Sequence, residues 1–160
     1  MSSKRNYIHF LCISIILIFL FVHIPVKPKI NNNKVKDIKE KIDSAYYTFD
    51  IQYLISITKE IKAEKKHNDD WLLDYYLGIV YWHLGKVVYN PNPNQSYNYF
   101  DKSLDYLFSA KTKHYDAEIA ALISSVYGKK SSLSTFKAIY YGYLAKDYIY
   151  EAAEMDSNNS

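Results

Sequence analysis

The chain has 160 residues, with 20 lysines and arginines against 17 aspartates and glutamates, for a formal net charge of +3. That length sets a single domain as the expectation, and so even a balance lacks the clustered basic face that nucleic-acid binding uses. The one cysteine, Cys12, excludes an internal disulfide and a cysteine-ligated zinc site.

Residues 1–29 read as a signal peptide or membrane anchor. Lys4 and Arg5 precede an uncharged run from Asn6 to Val26, the layout of an export signal or a single span. Its apolar stretch, residues 7–26, matches the roughly 20 residues needed to cross a bilayer. Signal cleavage favours small residues around the scissile bond, yet Ile15 to Lys41 contains no Ala, Gly or Ser, so an uncleaved anchor is preferred to a cleaved signal. Lys4, Arg5 and the amino group favour a cytoplasmic N-terminus, whereas Lys27, Lys29, Lys34 and Lys36 favour the reverse. Cys12 lacks the preceding small residues of a lipid-modified cysteine and reads as an apolar residue of the span. Without Lys4 and Arg5 the remainder has 18 basic groups against 17 acidic, a net charge of about +1.

From residue 30 to residue 160 the apolar spacing is helical. Ile38, Ile42, Ala45, Tyr46 and Phe49 share one face of a first helix, and Ile51, Leu54, Ile55, Thr58 and Ile61 one face of a second. The join at Thr48 to Asp50 makes them a hairpin of about residues 35–66. Lys62, Lys65 and Lys66 then read as a solvated helix end, well placed for the helix dipole. His67 to Asp70 is a polar break with capping residues, and it opens a third helix through Trp71-Leu72-Leu73-Asp74-Tyr75-Tyr76-Leu77-Gly78. The prolines and asparagines of Asn90 to Gln95 end that helix, and a fourth is expected from about Ser96 to Lys113. These two form a hairpin of about residues 70–113.

A fifth helix is expected from about Tyr115 to Tyr127, with Gly128 as its C-cap and Lys129 to Ser132 as a turn. A long sixth helix carries Phe136, Ile139, Tyr140, Tyr143, Leu144, Tyr148, Ala152 and Met155, completing a hairpin of about residues 115–156. No stretch alternates apolar and polar residues as a strand does, so the expected class is all-α.

Gly78 lies inside a helix, where glycine costs roughly 1 kcal/mol against alanine, and an internal repeat accounts for it. Leu77-Gly78-x-x-Tyr81 recurs 42 positions later as Ile119-Ala120-x-x-Ile123. Ser103-x-x-x-Leu107-x-x-Ala110 recurs at the same offset as Ala145-x-x-x-Ile149-x-x-Ala152. This resembles the tetratricopeptide repeat, a Leu-Gly-x-x-Tyr helix followed by an Ala-x-x-x-Phe-x-x-Ala helix. The resemblance implies antiparallel helical hairpins stacked as a short right-handed superhelix, with Gly78 and Ala120 where the first helix of each unit lies closest to the second. A phosphate loop is not expected, because no glycine-rich turn joins a strand to a helix.

The match covers Trp71 to Ser157 and departs from the family at definite points. The offset exceeds the family unit of about 34 residues. Asp74 holds the family's Trp position, with Trp71 one turn earlier, and Tyr115 and Ser157 hold the closing Pro positions. The hairpin of residues 35–66 fits the pattern poorly.

Repeat superhelices bind on their concave face. Carried over residue by residue, the family's groove positions fall on Tyr75, Ile79, Trp82 and His83 in the first unit, and on Ala117, Ala121, Ser124 and Ser125 in the second. The Lys and Asn residues with which some members clamp a peptide carboxylate are absent, so a ligand held by its C-terminal carboxylate is not expected. The 18 tyrosines have two readings, a binding surface rich in aromatic residues or core filling combined with an AT-rich coding sequence.

Catalytic chemistry finds no support in the residue pattern. His67, His83 and His114 form no metal-binding spacing, so no metal or cofactor is expected. Asp69 and Asp70 read as helix-capping acids, and Glu151 and Glu154 as the outer face of the last helix, rather than as an acid and base pair. Four glycines offer no oxyanion site for a Ser-His-Asp nucleophile. The expected function is a non-enzymatic interaction or scaffolding module that binds a protein or peptide segment. The export segment extends the resemblance to repeat proteins of bacterial envelopes, membrane-anchored or periplasmic. The alternative is an accessory subunit of an envelope enzyme complex whose chemistry lies on another chain.

Overall fold

The computed structural model describes residues 30–157, and among them the regular structure is six α-helices with no strand. They are α1 (Asn32–Tyr47), α2 (Ile51–Lys65), α3 (Trp71–Val87), α4 (Pro93–Lys113), α5 (Ala117–Leu133) and α6 (Ala138–Ser157). The expected membrane span, residues 7–26, lies outside the described residues. Among the described ones no helix is long and apolar enough to cross a membrane.

Helix starts are set by short polar side chains. Asn31, Asp50, Asp70, Asn92 and Asp116 each accept a hydrogen bond from a first-turn backbone N–H of α1 to α5 in turn. Each cap of this kind contributes about 1 kcal/mol.

Four expectations are corrected. First, α4 begins at Pro93 and not Ser96, because proline at the first helical position needs no N–H partner and Asn92 caps it. Second, α5 passes through Gly128 and Lys129 to Ser132 and ends at Leu133. Gly128 has no positive φ, so it is an ordinary helical residue and not a C-cap. Third, Phe49 leaves the face of α1: it turns the chain into α2 with φ of 54° and stands exposed. Fourth, Phe136, Ile139, Tyr140 and Tyr143 do not face the core. Phe136 is fully exposed and the other three are mostly exposed, while Tyr141 and Ala152 are the buried residues of α6.

Packing centres on α3, which touches α1, α2, α4 and α5. The most extensive seams are α3 with α4 and α5 with α6. At the first, Gly78 and Gly85 lie against Leu107 and Phe100 of α4. A Cβ at Gly78 would sit 2.6 Å from Leu107 Cδ2, and one at Gly85 would overlap the Phe100 ring. The hydroxyls of Ser103 and Ser96 donate to the carbonyls of Gly78 and Gly85, at 2.7 and 2.8 Å. Seven residues forward on α3 match seven backward on α4, so the pair is antiparallel. The second seam repeats the device with roles exchanged: Ser124 and Ser131 of α5 donate to Ala145 and Ala138 carbonyls of α6, at 2.7 and 2.8 Å.

A buried charge ties three helices together. Asp74, fully buried on α3, pairs with Lys65 of α2 at 2.7 Å and Lys113 of α4 at 2.9 Å, and accepts from the Ser109 hydroxyl at 2.9 Å. The basic end of α2 is therefore more than a solvated terminus. Lys62 also reaches α3, donating to the Tyr81 hydroxyl at 2.9 Å and lying over the Tyr81 and Tyr106 rings.

Tyrosines line these seams. Tyr81 stacks on Tyr106, and Tyr127 stacks on both Tyr141 and Tyr148. Burial, followed by the neighbouring tyrosines, pushes the Tyr127 hydroxyl up to about 12. Tyr115 of the α4–α5 turn donates to Glu151, which also faces Lys111, so Glu151 is drawn inward from the outer face expected for it.

Candidate functional site

Helices α1 and α5 both pack on α3 and, among the described residues, not on each other. With α3 as floor and the other two as walls, they form a groove. One part is a cleft of ≈ 330 Å³ lined by Asp43 of α1, by Tyr75, Ile79, Trp82 and His83 of α3, and by Glu118, Ala121, Leu122 and Ser125 of α5. It continues into a cleft of ≈ 190 Å³ that adds Lys39, Ile42, Trp71, Leu72 and Tyr76 and shares Asp43, Tyr75, Ile79 and Glu118.

All four residues expected from the first unit therefore lie together. They sit at spacings of three, four and seven residues on α3, the one face that α2 and α4 leave uncovered. Of the second-unit positions, Ala121 and Ser125 line the groove. Ser124 does not, because its hydroxyl is turned to the Ala145 carbonyl in the α5–α6 seam. Ala117 lines an adjoining shallow cleft against Ala152 and Ala153 of α6, which shares Glu118 and Ala121 with the groove.

The wall residues Asp43, Glu118 and Leu122 escaped the sequence reading. Asp43 belongs to the hairpin that matches the repeat poorly. Glu118, in the first turn of α5, reads locally as a helix-dipole acid.

Tyr75 belongs more to the core than to the surface. It is 7% exposed, its ring meets Tyr76 edge-on at 5.5 Å, and its hydroxyl donates to Glu118 Oε1 at 2.5 Å. Burial and then the hydrogen bond to Glu118 raise the Tyr75 hydroxyl well above the ordinary phenol range. For Tyr76, burial leads and the Glu118 and Asp43 carboxylates add to the rise. An acid thus stands on each wall, Asp43 on α1 and Glu118 on α5.

Trp82 is half-buried and His83 is 8% exposed. The His83 ring lies 4.0 Å from Tyr46 and 4.9 Å from Trp82. Lys86 caps this aromatic cluster, 4.1 Å from the Trp82 ring and 4.4 Å from Tyr46. Burial, followed by the Lys86 charge, pushes the His83 imidazole down to about 4, so it is neutral at physiological pH. Trp82 Nε1 and His83 Nδ1 are buried and have no hydrogen-bond partner. A buried polar atom left unpaired costs about 1–3 kcal/mol, and both atoms lie beneath the groove's surface rather than open to it.

The other histidines have different surroundings. His114 stacks on Trp71 at 4.1 Å and faces Asp116 through Nε2 at 3.0 Å. Among the described residues no three His, Cys, Asp or Glu side chains converge as a metal site would require. No protein family, curated protein or solved structure matches this chain.

Proposed function

We propose that this chain is a non-enzymatic binding module of tetratricopeptide-like build, whose α1–α3–α5 groove captures a segment of another protein. In this reading residues 7–26 anchor or export the domain, which works in a cell envelope. Three consecutive helix pairs, the small residues at the α3–α4 seam and the exposed face of the first helices support the repeat-like stacking. The observation that carries the function is the convergence of Ile79, Trp82 and His83 with the α1 and α5 walls in one cleft.

Trp82 is the anchor of such a site, since half-buried aromatic residues at the centre of an interface often contribute 2 kcal/mol or more. Tyr75 is a poor probe because it is core, and its truncation would disturb the fold. A photoreactive residue placed at Ser125, exposed on the groove wall, tests the reading in cells expressing the full chain. A discrete crosslinked product is expected at Ser125, lost on Trp82→Ala, with none at Thr112, which lies outside the groove. Equal products at both positions, or a Ser125 product that survives Trp82→Ala, would remove the groove as the binding surface.

A further inference from the structure

A second surface, independent of the groove, lies on the outer face of α6. The inner face is engaged: Tyr148 meets Phe108 of α4 and Tyr127 of α5, and the Tyr141 hydroxyl meets that of Tyr97 on α4. On the opposite face Phe136, in the turn before the helix, is followed by Ile139, Tyr143, Lys146, Tyr150 and Ala153, and all six are exposed. Their spacings are three, four, three, four and three residues, the period of 3.5 with which one helix presents a seam to another.

The stripe is large enough for a stable contact. At roughly 200 Å² for a whole aromatic side chain, the exposed parts of Phe136, Ile139, Tyr140, Tyr143 and Tyr150 amount to about 700 Å². The largest apolar patch of a typical monomer is about 300–600 Å². Two such faces together would bury about 1,400 Å², inside the roughly 1,200–2,000 Å² of a stable interface.

Lys146 decides among the occupants. It stands in the middle of the stripe, its Nζ 5.5 Å from the Tyr150 ring of its own helix, whereas a helix lying on lipid keeps its cations on the polar face. A parallel second copy would set Lys146 against the partner's Lys146. In an antiparallel pair the two kinds of seam position alternate, and the lysine meets an aromatic ring instead.

We infer that two copies of this chain pair through α6, antiparallel about a two-fold axis at the level between Leu144 and Ala145. In that register Phe136 meets the partner's Ala153, Ile139 the partner's Tyr150, and Tyr143 the partner's Lys146. A large side chain falls on a small one, and each lysine lies on a tyrosine ring, a cation–π contact. Asp147, one turn beyond Tyr143 on the same face, offers that ammonium a carboxylate as well. Every contact occurs twice, so the pair closes on itself.

The test uses the full chain in detergent micelles, with Cys12→Ser removing the one native cysteine. Two differently tagged forms, Ile139→Cys and Tyr150→Cys, are coexpressed and oxidised, and a mixed disulfide joining the two tags is expected. Neither form should crosslink to itself, since like positions stand about 17 Å apart along the axis, beyond the roughly 7 Å that a disulfide spans between Cα atoms. Sedimentation of the Cys12→Ser chain should give a dimer, and Ile139→Asp with Tyr143→Asp should weaken it about a hundredfold while circular dichroism stays unchanged. A monomer at every concentration would overturn the inference and leave the stripe to lipid or to another protein. A dimer without the mixed disulfide, or one that the aspartates leave intact, would overturn it as well.

Discussion

The Ser103 hydroxyl donates to the Gly78 carbonyl across 2.7 Å, joining α4 to α3 at one of the two glycine contacts of their seam. A helical carbonyl already accepts from its own helix, and its second lone pair takes the serine. The bond is available only because Gly78 has no side chain: Leu107 occupies the space a Cβ would need.

Gly78→Leu is therefore expected to lower stability by about 1–3 kcal/mol, the range for overpacking a closed core. Gly128→Ala should do the opposite. Gly128 is helical, and a Cβ there meets nothing within 4 Å, so alanine's helix propensity adds up to about 1 kcal/mol. Thermal melts of the two variants check both signs, and a stabilised Gly78→Leu protein would show that the α3–α4 seam is loose.

The Asp74 cluster predicts an asymmetry. Replacing Lys65 and Lys113 together by methionine strands a carboxylate that is fully buried, at an expected cost of about 3–5 kcal/mol. Asp74→Ala leaves two ammonium groups that are partly exposed and can rehydrate, so about 1–3 kcal/mol is expected. Chemical denaturation that ranked the variants in reverse order would mean that the acid is not what burial makes costly here.

His83 makes stability depend on pH. Its folded-state value of about 4 lies below the ordinary 6.5, so below pH 6.5 the unfolded chain binds a proton that the folded one refuses. Its contribution is complete above pH 6.5 and is lost as pH falls toward 4, by on the order of 3 kcal/mol. His83→Phe should flatten the unfolding free energy across that window. An unchanged slope in the variant would place the acid sensitivity in the carboxylates instead.

In the turn between α5 and α6, Phe136→Ser should shift the monomer's stability by no more than about 0.5 kcal/mol, the usual bound for a surface change. Phe136 is 102% exposed. Tyr141→Ala should cost about 3 kcal/mol or more, because that ring is buried against Tyr127 and its hydroxyl meets Tyr97. Paired urea titrations would expose a buried role for Phe136 if its variant matched that of Tyr141.

What was legible in the sequence is what lies within a helical turn of itself. Asp50, Asp70 and Asp116 are capping side chains next to helical periodicity, so the starts of α2, α3 and α5 could be read nearly to the residue. Gly78 could be read as a packing glycine because a glycine that weakens its helix needs a neighbour to account for it, and the repeat pointed to α4. Its partners, Leu107 and Ser103, stand at the repeat positions already singled out. The groove positions Tyr75, Ile79, Trp82 and His83 came from the resemblance to the tetratricopeptide repeat, and spacings of three and four residues keep such positions adjacent on an α-helix.

Tertiary structure decided which faces are covered. Ile139, Tyr140 and Tyr143 on α6 look like a core stripe, yet among the described residues no helix covers them, and periodicity records only that a face is apolar. Gly128 carries the residue type of a cap, but only backbone φ distinguishes a cap from a helical glycine. Asp43 and Glu118 are separated in the chain by the whole of α2, α3 and α4, and nothing local in either predicts that they share a groove. Their juxtaposition is created by α1 and α5 packing on the same helix, which makes the groove's charge a property of the fold rather than of any segment.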